Sequence, residues 1–262
     1  MSDLHSRLEF ATKLAYKAGE IMLKYFQEGV EKENKADGSP VTIADTTINE
    51  MVIEEISRQY PQDGVLGEEV SNLQDGAEYL WVCDPIDGTR AFIFGIPTNQ
   101  FSLALVKDGE PLLGVIYDPY SKRLYTAVKG EGAFLNKKKM AVSKETTIKN
   151  SFFALPHFRV PLFDSVGLFG EIVSKGVRSF AFLSITFEAM LVANNKIPAV
   201  GYGYTGAHDI AAIKIIVEEA GGKVTDLLGN DQRYDQPIKG ALISNGLVHD
   251  ELVGLVKPYL TI

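Results

Sequence analysis

The chain has 262 residues, enough for one large domain or two closely packed halves with a substantial buried core. Hydrophobic residues make up 45% of it and charged residues 23%, as in an ordinary folded protein. The formal net charge of −8 disfavours nucleic acid and anionic membranes as partners. An anionic substrate would therefore need positive charge at its site, and bound cations would supply it.

Cysteine content and the first residues indicate the compartment. The single cysteine, Cys83, permits no internal disulfide, which fits a reducing environment. Residues 1–5 do not form a basic region that leads into an apolar run, so no signal peptide is predicted. No apolar stretch approaches the length of a membrane span. We expect a soluble, cytoplasmic protein.

Two helices are predicted at the start of the chain. Apolar residues recur at helical spacing over residues 3–27, which predicts an amphipathic helix. A polar stretch over residues 29–40 follows. Thr42 is then the predicted N-cap of a second helix that ends near Tyr60.

The middle of the chain has strand character, and the second half mixes helices with strands. Three β-rich runs separated by turn residues predict an antiparallel meander over residues 101–105, 112–117 and 123–128. Helices are predicted over residues 184–194 and 209–220 and from Val248, with short strands at residues 198–202, 223–225 and 241–244. This order favours layered helices and sheets, in an N-terminal half over residues 1–147 and a C-terminal half over residues 148–262.

The string from Trp81 to Thr89 carries the strongest signal for chemistry. Asp84 is predicted at the end of a buried strand, where Pro85 fixes the backbone and Gly88 permits a tight turn. Such a turn brings the side chains of Asp84 and Asp87 to one side. Carboxylate oxygens gathered around one point favour Mg²⁺, which also binds phosphate oxygens.

Further oxygen donors would complete such a cation site. The same turn frees the backbone carbonyl of Ile86. Thr89 follows where a helix could begin, so that its hydroxyl and the nearby amides could meet a phosphate or a water. Two more acidic motifs, at Glu68-Glu69 and at Asp209, are additional candidates.

Each feature also has a structural interpretation. A lone Asp-Gly-Thr is usually a turn, paired glutamates are usually solvated, and Asp209 would be stabilised at a helix start. The string is harder to explain in this way, because a buried strand that leads into two carboxylates is costly without a cation or donors. Pro85 occupies the position at which phosphatases of the haloacid dehalogenase type have a nucleophilic aspartate. The sequence therefore favours attack by water over an aspartyl-phosphate.

With these motifs, the chain resembles the inositol monophosphatase family over nearly its whole length. The resemblance is carried by residues 41–45, 67–69, 81–89, 114–119, 209–212 and 219–222. Several independent motifs in the right order make the match specific. It implies an α+β fold, a layered αβαβα sandwich of the inositol monophosphatase and fructose-1,6-bisphosphatase type, often as a homodimer.

The resemblance also implies a site for two to three Mg²⁺ ions. The implied ligands of the first ion are Glu68, Asp84 and the Ile86 carbonyl. Those of the second are Asp84, Asp87 and Asp209, so that Asp84 bridges the pair. Asp45 would bind a third ion, mainly through water.

Catalytic and substrate-binding roles come from the same resemblance. Glu68 and Thr89 would orient and deprotonate the attacking water next to the bridging Asp84. The amides of Gly88 and Thr89 would hold the phosphate. Ser184 and Asp209 would face the substrate.

The substrate-facing positions depart from the family's pattern. Leu183 stands where the family usually has glycine, and His208 where it usually has tryptophan. Tyr202 stands where the family usually has an acid that contacts substrate hydroxyls. These changes leave the predicted metal ligands intact but do not favour recognition of myo-inositol.

Three further features allow two interpretations each. Arg90 completes a string similar to that of histidinol-phosphate phosphatases, and it is equally well explained as a surface arginine. Lys35 would add positive charge near the third metal, or would be a solvated loop lysine. The glycine-rich residues 201–206 form a mobile lid or a permissive turn.

We therefore expect a Mg²⁺-dependent phosphomonoesterase. Its expected substrate is a small soluble phosphate ester, inositol 1-phosphate or a similar polyol phosphate. Histidinol phosphate and the 3′-phosphate of an adenosine bisphosphate are the alternatives. A catalytically silent relative that binds metal and phosphate is disfavoured, because every predicted metal ligand is present.

Overall fold

The computed structural model describes residues 3–28, 32–35, 40–149, 152–154, 164–203 and 205–261. The helices are α1 Asp3–Glu28, α2 Ile43–Gln59, α3 Thr89–Ile93, α4 Ser165–Ser174, α5 Ile185–Ala193, α6 Ala207–Glu219 and α7 His249–Val256. The strands are β1 Lys32–Asn34, β2 Pro40–Thr42, β3 Gly64–Gly67, β4 Leu80–Asp87, β5 Gln100–Lys107, β6 Glu110–Asp118, β7 Arg123–Val128, β8 Gly132–Leu135, β9 Lys138–Lys139, β10 Phe152–Ala154, β11 Arg178–Phe180, β12 Ala199–Tyr202, β13 Lys223–Thr225 and β14 Ala241–Ser244. The helices and strands predicted from the sequence are confirmed to within a few residues.

Two large sheets organise the chain. A seven-stranded sheet has the order β3-β4-β5-β6-β7-β8-β9, and a five-stranded sheet has the order β11-β10-β12-β14-β13. Strands β5, β6 and β7 pair antiparallel as the predicted meander. Strands β3 and β4 pair in parallel, which brings their carboxyl ends to the same edge.

Helices cover the sheets in alternating layers. Helices α1 and α2 pack on one face of the seven-stranded sheet. Helices α5 and α6 lie between the two sheets, and α6 is buried on nearly all sides, as expected of a sandwiched helix. Helices α4 and α7 cover the five-stranded sheet from outside. The resulting order αβαβα confirms the predicted layered α+β fold.

Strand β4 differs from the sequence prediction. We predicted that the buried strand ends at Asp84, but it continues to Asp87. Asp84 pairs with Ser102 and Asp87 with Gln100, so β4 holds one extra residue between these pairs. Pro85 explains the irregularity, because it has no N–H to donate to the neighbouring strand. The bulge turns this end of the strand, as bulges beside functional sites often do.

The start of α2 is fixed by a capping box. Thr42 Oγ1 accepts a hydrogen bond from the Ala44 amide at 3.2 Å, and the Thr42 amide donates to Asp45 Oδ2 at 2.9 Å. The predicted N-cap is therefore confirmed, and Asp45 is held at the first turn. Within the described part of the chain, no helix is both long and apolar enough to cross a membrane.

Candidate functional site

Three carboxylates from two distant segments meet between the sheets. Asp84 and Asp87 come from the bulged end of β4, and Asp209 comes from the first turn of α6. One oxygen from each lies within 4.8 Å of the others. Asp84 and Asp87 are only 1% and 4% exposed, so water cannot screen their mutual repulsion well. Three like charges packed this closely favour a cation among them.

The pKa values of these acids reflect this crowding. Burial raises the pKa of Asp84 well above its ordinary value, and the neighbouring carboxylates, Glu68 first, raise it further. Burial also raises the pKa of Asp209 to about 6. Among the described residues, Asp84 Oδ1 has no hydrogen-bond partner although it is buried. A buried carboxylate oxygen without a donor is rare in proteins, and a cation would satisfy it.

Asp87 is clamped by the start of α5. Its Oδ2 accepts hydrogen bonds from Ser184 Oγ at 2.5 Å, from the Thr186 amide at 2.8 Å and from Thr186 Oγ1 at 2.6 Å. Its Oδ1 accepts the Ile185 amide at 3.2 Å. The family resemblance implies that Ser184 faces the substrate, and in the structure its hydroxyl donates to Asp87 Oδ2. Thr186 was missed, since nothing in the sequence links it to a carboxylate 99 positions earlier.

Asp45 and Thr89 join the β4 turn to helix α2. Thr89 Oγ1 lies 3.2 Å from Asp45 Oδ1 and 3.3 Å from the Ile86 carbonyl. Burial raises the pKa of Asp45 to about 6. Helix α3 begins at Thr89, as predicted, and its first amides have no acceptor within the helix. The hydroxyl, the carbonyl and these amides therefore share one edge of the carboxylate cluster.

Gly88 makes the turn between β4 and α3. Its φ of 88° lies in the left-handed region, which glycine adopts without strain. A Cβ at this position would lie 2.8 Å from the Leu183 carbonyl oxygen, which is backbone. The expected tight turn is present, and a side chain there is excluded twice, by conformation and by contact.

Lys35 pairs with two glutamates, one of which, Glu68, lies close enough to Asp84 to raise the pKa of that carboxyl. Its Nζ lies 2.8 Å from Glu68 Oε1 and 2.6 Å from Glu69 Oε1. Burial lowers the pKa of Lys35, but the two carboxylates more than offset this and raise it above its ordinary value. The interpretation of Lys35 as a solvated loop lysine is therefore wrong. Glu69, the second acid of the predicted Glu68-Glu69 motif, shares this cation with Glu68.

A second buried pair lies behind the clamp. Tyr202 Oη donates to Glu188 Oε2 at 2.7 Å, and the Phe182 amide donates to Glu188 Oε1 at 2.5 Å. Burial raises the pKa of Glu188 to about 7. The sequence identified Tyr202 as a departure but missed Glu188, although an acid within the apolar run of α5 was a usable signal.

The remaining residues that the sequence singled out lie at the margin of the carboxylate cluster or in the hydrophobic core. His208 Nε2 is 3.6 Å from Asp209 Oδ2, which also accepts the Gly206 amide at 2.5 Å. Arg90 is exposed. Cys83 is fully buried, and burial raises its pKa well above the ordinary value, so the prediction that it belongs to the core is confirmed. One position of the glycine-rich residues 201–206, Tyr204, lies outside the described residues.

Comparison with known proteins gives one consistent family. The family model described as "Inositol monophosphatase family" matches residues 3–259. A fructose-1,6-bisphosphatase/inositol-1-monophosphatase of Thermotoga maritima is 32% identical over 96% of both chains. A histidinol-phosphatase of Chlorobaculum parvum is 32% identical over 95% of this chain and 96% of its own. The solved structure of a Thermotoga maritima IMPase superimposes with a TM-score of 0.86 at 32% identity, covering 97% of each chain.

Proposed function

Because the chain belongs to the inositol monophosphatase family of metal-dependent phosphatases, we propose that it hydrolyses a small soluble phosphate ester with the help of Mg²⁺. Inositol 1-phosphate or a similar polyol phosphate is the first candidate substrate, in line with the names of its relatives. One observation carries the proposal. Asp84 and Asp87, both buried, form a cluster with the half-buried Asp209, and Asp84 Oδ1 has no donor among the described residues.

The metal ligands are assigned to this cluster and its neighbours. We assign Glu68, Asp84 and the Ile86 carbonyl to one ion, and Asp84, Asp87 and Asp209 to a second. Asp45 would reach a third through water. All are hard oxygen donors, the type that Mg²⁺ prefers. The bound ions would lower the pKa of a water and neutralise charge on the phosphate.

The protein's own groups would position the reactants. Thr89 Oγ1 bridges Asp45 and the Ile86 carbonyl, so it can hold a water whose proton passes towards Glu68. The amides of Gly88 and Thr89 would bind the phosphate oxygens at the free start of α3. Pro85 stands where a covalent mechanism would need a nucleophile, so we propose that water attacks directly.

Histidinol phosphate is the second candidate substrate. Tyr202 Oη donates to Glu188 Oε2 in the interior, so the Glu188 carboxylate is already engaged and Tyr202 offers no carboxylate to substrate hydroxyls. This disfavours a polyol substrate. A relative of similar identity is named histidinol-phosphatase.

Phosphate release measured on a substrate panel tests the proposal. We expect Mg²⁺-dependent turnover of at least one of inositol 1-phosphate, histidinol phosphate and adenosine 3′,5′-bisphosphate by the purified protein. Asp87→Asn should retain the circular dichroism spectrum of the folded protein. Its activity should fall by more than the roughly 10–100-fold loss that is typical when a residue beside a metal ligand is changed. A metal-loaded wild-type protein that is inactive on the whole panel would falsify the enzymatic proposal.

We also propose that the protein acts in the cytoplasm as a homodimer. The buried free thiol of Cys83 is compatible with a reducing compartment. The dimer is proposed from the family resemblance. Light scattering of the purified protein should give twice the mass of the 28.8 kDa chain.

A further inference from the structure

Two polar side chains of β5 are buried beside the carboxylate cluster. Ser102 is fully buried, and Gln100 is 1% exposed. Among the described residues, neither Ser102 Oγ nor Gln100 Oε1 has a hydrogen-bond partner. Burying an unpartnered polar oxygen costs free energy, so each such group in a native protein requires an explanation. These two lie at the end of β5 that pairs with Asp84 and Asp87.

Strand pairing places Ser102 directly opposite Asp84. The two residues are register partners in the antiparallel pair of β4 and β5, next to the bulge. Residues opposite each other share one face of a sheet, with Cβ atoms about 4.5–5.5 Å apart. A serine hydroxyl rotates among three staggered positions, so at this separation it can reach the opposite carboxylate. Asp84 Oδ1 is itself buried and has no partner within the described part of the chain.

The face that Ser102 and Asp84 share is the one that packs on α6. On β4, Val82 lies two residues before Asp84. On β5, Ala104 lies two residues after Ser102. Both Val82 and Ala104 belong to the hydrophobic cluster that also contains the buried residues of α6. Because side chains alternate along a strand, Ser102 lies on the side of the sheet from which α6 presents Asp209.

Other aspartates of the proposed site are already held by hydrogen-bond donors. Asp87 is clamped by the start of α5, and Asp209 Oδ2 accepts the Gly206 amide at 2.5 Å. Carboxylates that bind metal ions are usually hydrogen-bonded in this way, which orients them. For Asp84, the polar side chain that the paired strand presents is Ser102.

We propose that Ser102 is a positioning residue for the metal site, whose hydroxyl donates to the carboxylate of Asp84 when that carboxylate binds a cation. This inference rests on the proposed function, because it concerns an assigned metal ligand. A hydrogen bond to an ionised acceptor is roughly twice as strong as one between neutral groups, so a metal-bound carboxylate attracts the hydroxyl. The donor fixes the orientation of Asp84, which we assign to both ions, and thereby raises the affinity for Mg²⁺.

Ser102→Ala removes the hydroxyl and leaves the rest of the side chain. The loss of a buried hydroxyl without a partner should stabilise the metal-free protein. We expect the unfolding temperature in EDTA to rise by about 2–4 °C, as for a small gain in a chain of this size. The Mg²⁺ dissociation constant should rise about 10-fold, because the ligand is no longer oriented. Differential scanning fluorimetry over a range of Mg²⁺ concentrations measures both quantities without turnover.

Ser179→Ala is the matched control. The Ser179 hydroxyl is also buried and has no partner among the described residues. It lies on β11, which pairs with β10 in the five-stranded sheet and carries no proposed metal ligand. The same atom is removed in both variants, so a general effect of losing a buried hydroxyl should appear in both. We expect Ser179→Ala to bind Mg²⁺ as tightly as the wild type does.

The outcomes separate this inference from the proposed function. If Ser102→Ala binds Mg²⁺ as tightly as the wild type, Ser102 does not position Asp84 and the inference is wrong, whatever the unfolding temperature. The inference also fails if Ser179→Ala weakens Mg²⁺ binding as much as Ser102→Ala does. A wild type whose unfolding temperature does not respond to Mg²⁺ overturns both the metal assignment and the inference. If the wild type binds Mg²⁺ but hydrolyses no ester, the proposed activity fails, and the two serine variants still decide the role of Ser102.

Discussion

Ser184 Oγ lies 2.5 Å from Asp87 Oδ2, although the two residues are 97 positions apart in the chain. The contact joins the start of α5, in the second half of the chain, to the bulged end of β4 in the first. Together with two bonds from Thr186, it occupies one oxygen of Asp87 and leaves the other with a single amide donor. The clamp thereby orients a carboxylate that we propose as a metal ligand.

Removing one clamping hydroxyl should weaken metal binding without touching a proposed ligand. Thr186→Val deletes the 2.6 Å bond to Asp87 Oδ2 and keeps the shape of the side chain. We expect the Mg²⁺ concentration for half-maximal activity to rise about 10-fold. Thr186→Ser retains the hydroxyl and is the control. Equal metal dependence in the valine and serine variants would contradict the orienting role.

Asp84→Asn should stabilise the metal-free protein. Burial and four neighbouring carboxylates disfavour the charge on Asp84, so its removal relieves repulsion. We expect the unfolding temperature in EDTA to rise by a few degrees and the Mg²⁺-dependent increase to disappear. Differential scanning fluorimetry with and without Mg²⁺ measures both.

A buried acid outside the cluster provides the control for this experiment. Asp118 is 1% exposed, and its Oδ1 accepts the amides of Tyr120 and Ser121, each at 3.0 Å. Asp118→Asn should lower the unfolding temperature and keep the response to Mg²⁺. If Asp84→Asn behaves in the same way, Asp84 has a structural role and not the one proposed.

Much of the fold was accessible to sequence reasoning because it rests on local patterns. The spacing of apolar residues predicted α1, and Thr42 marked the start of α2 through a side chain that bonds its own helix. Turn residues delimited the meander in the same way. The extension of β4 to Asp87 was not accessible, because pairing with β5 across a bulge depends on the neighbouring strand.

The candidate site likewise combines features that a local sequence pattern predicts with features that depend on distant contacts. Asp84, Asp87 and Gly88 share one short string, so their spacing alone suggested that they converge. The Glu188–Tyr202 bond joins α5 to β12, and no local pattern encodes such a pair. The left-handed backbone of Leu183, with a φ of 62°, is likewise invisible in the sequence, and the preceding residue is bonded by Thr98 and Glu188 from other parts of the chain.

The metal-free protein should lose stability as the pH rises through about 6. Asp45 and Asp209 have folded pKa values of about 6 against ordinary values of 3.8. The folded state therefore binds more protons than the unfolded state between these values, so that the free energy of unfolding falls with rising pH. His249, whose pKa burial lowers from 6.5 to about 4, has the opposite effect over nearly the whole of this window.

Urea denaturation from pH 4.5 to 8 in EDTA measures this dependence. His249→Asn removes the opposing group. The pH dependence of the free energy of unfolding, measured within this variant, then reports the contribution of the acids. Saturating Mg²⁺ should abolish this loss of stability, because metal ions bind the deprotonated carboxylates. A metal-free protein that is more stable at pH 8 than at pH 5 in that background would contradict the raised pKa values.

Lys35 should compete with metal for Glu68. Its ammonium group lies 2.8 Å from Glu68 Oε1 and 2.6 Å from Glu69 Oε1, so it neutralises a carboxylate that we assign to Mg²⁺. Lys35→Gln removes this charge and its repulsion of incoming cations. We expect the Mg²⁺ dissociation constant, measured by calorimetry, to fall several-fold, because the change in free energy of one partly exposed charge pair is about 1 kcal/mol. Lys35→Arg keeps the charge and should bind Mg²⁺ as the wild type does, whereas weaker binding by Lys35→Gln would show that Lys35 assists the metal site instead of competing with it.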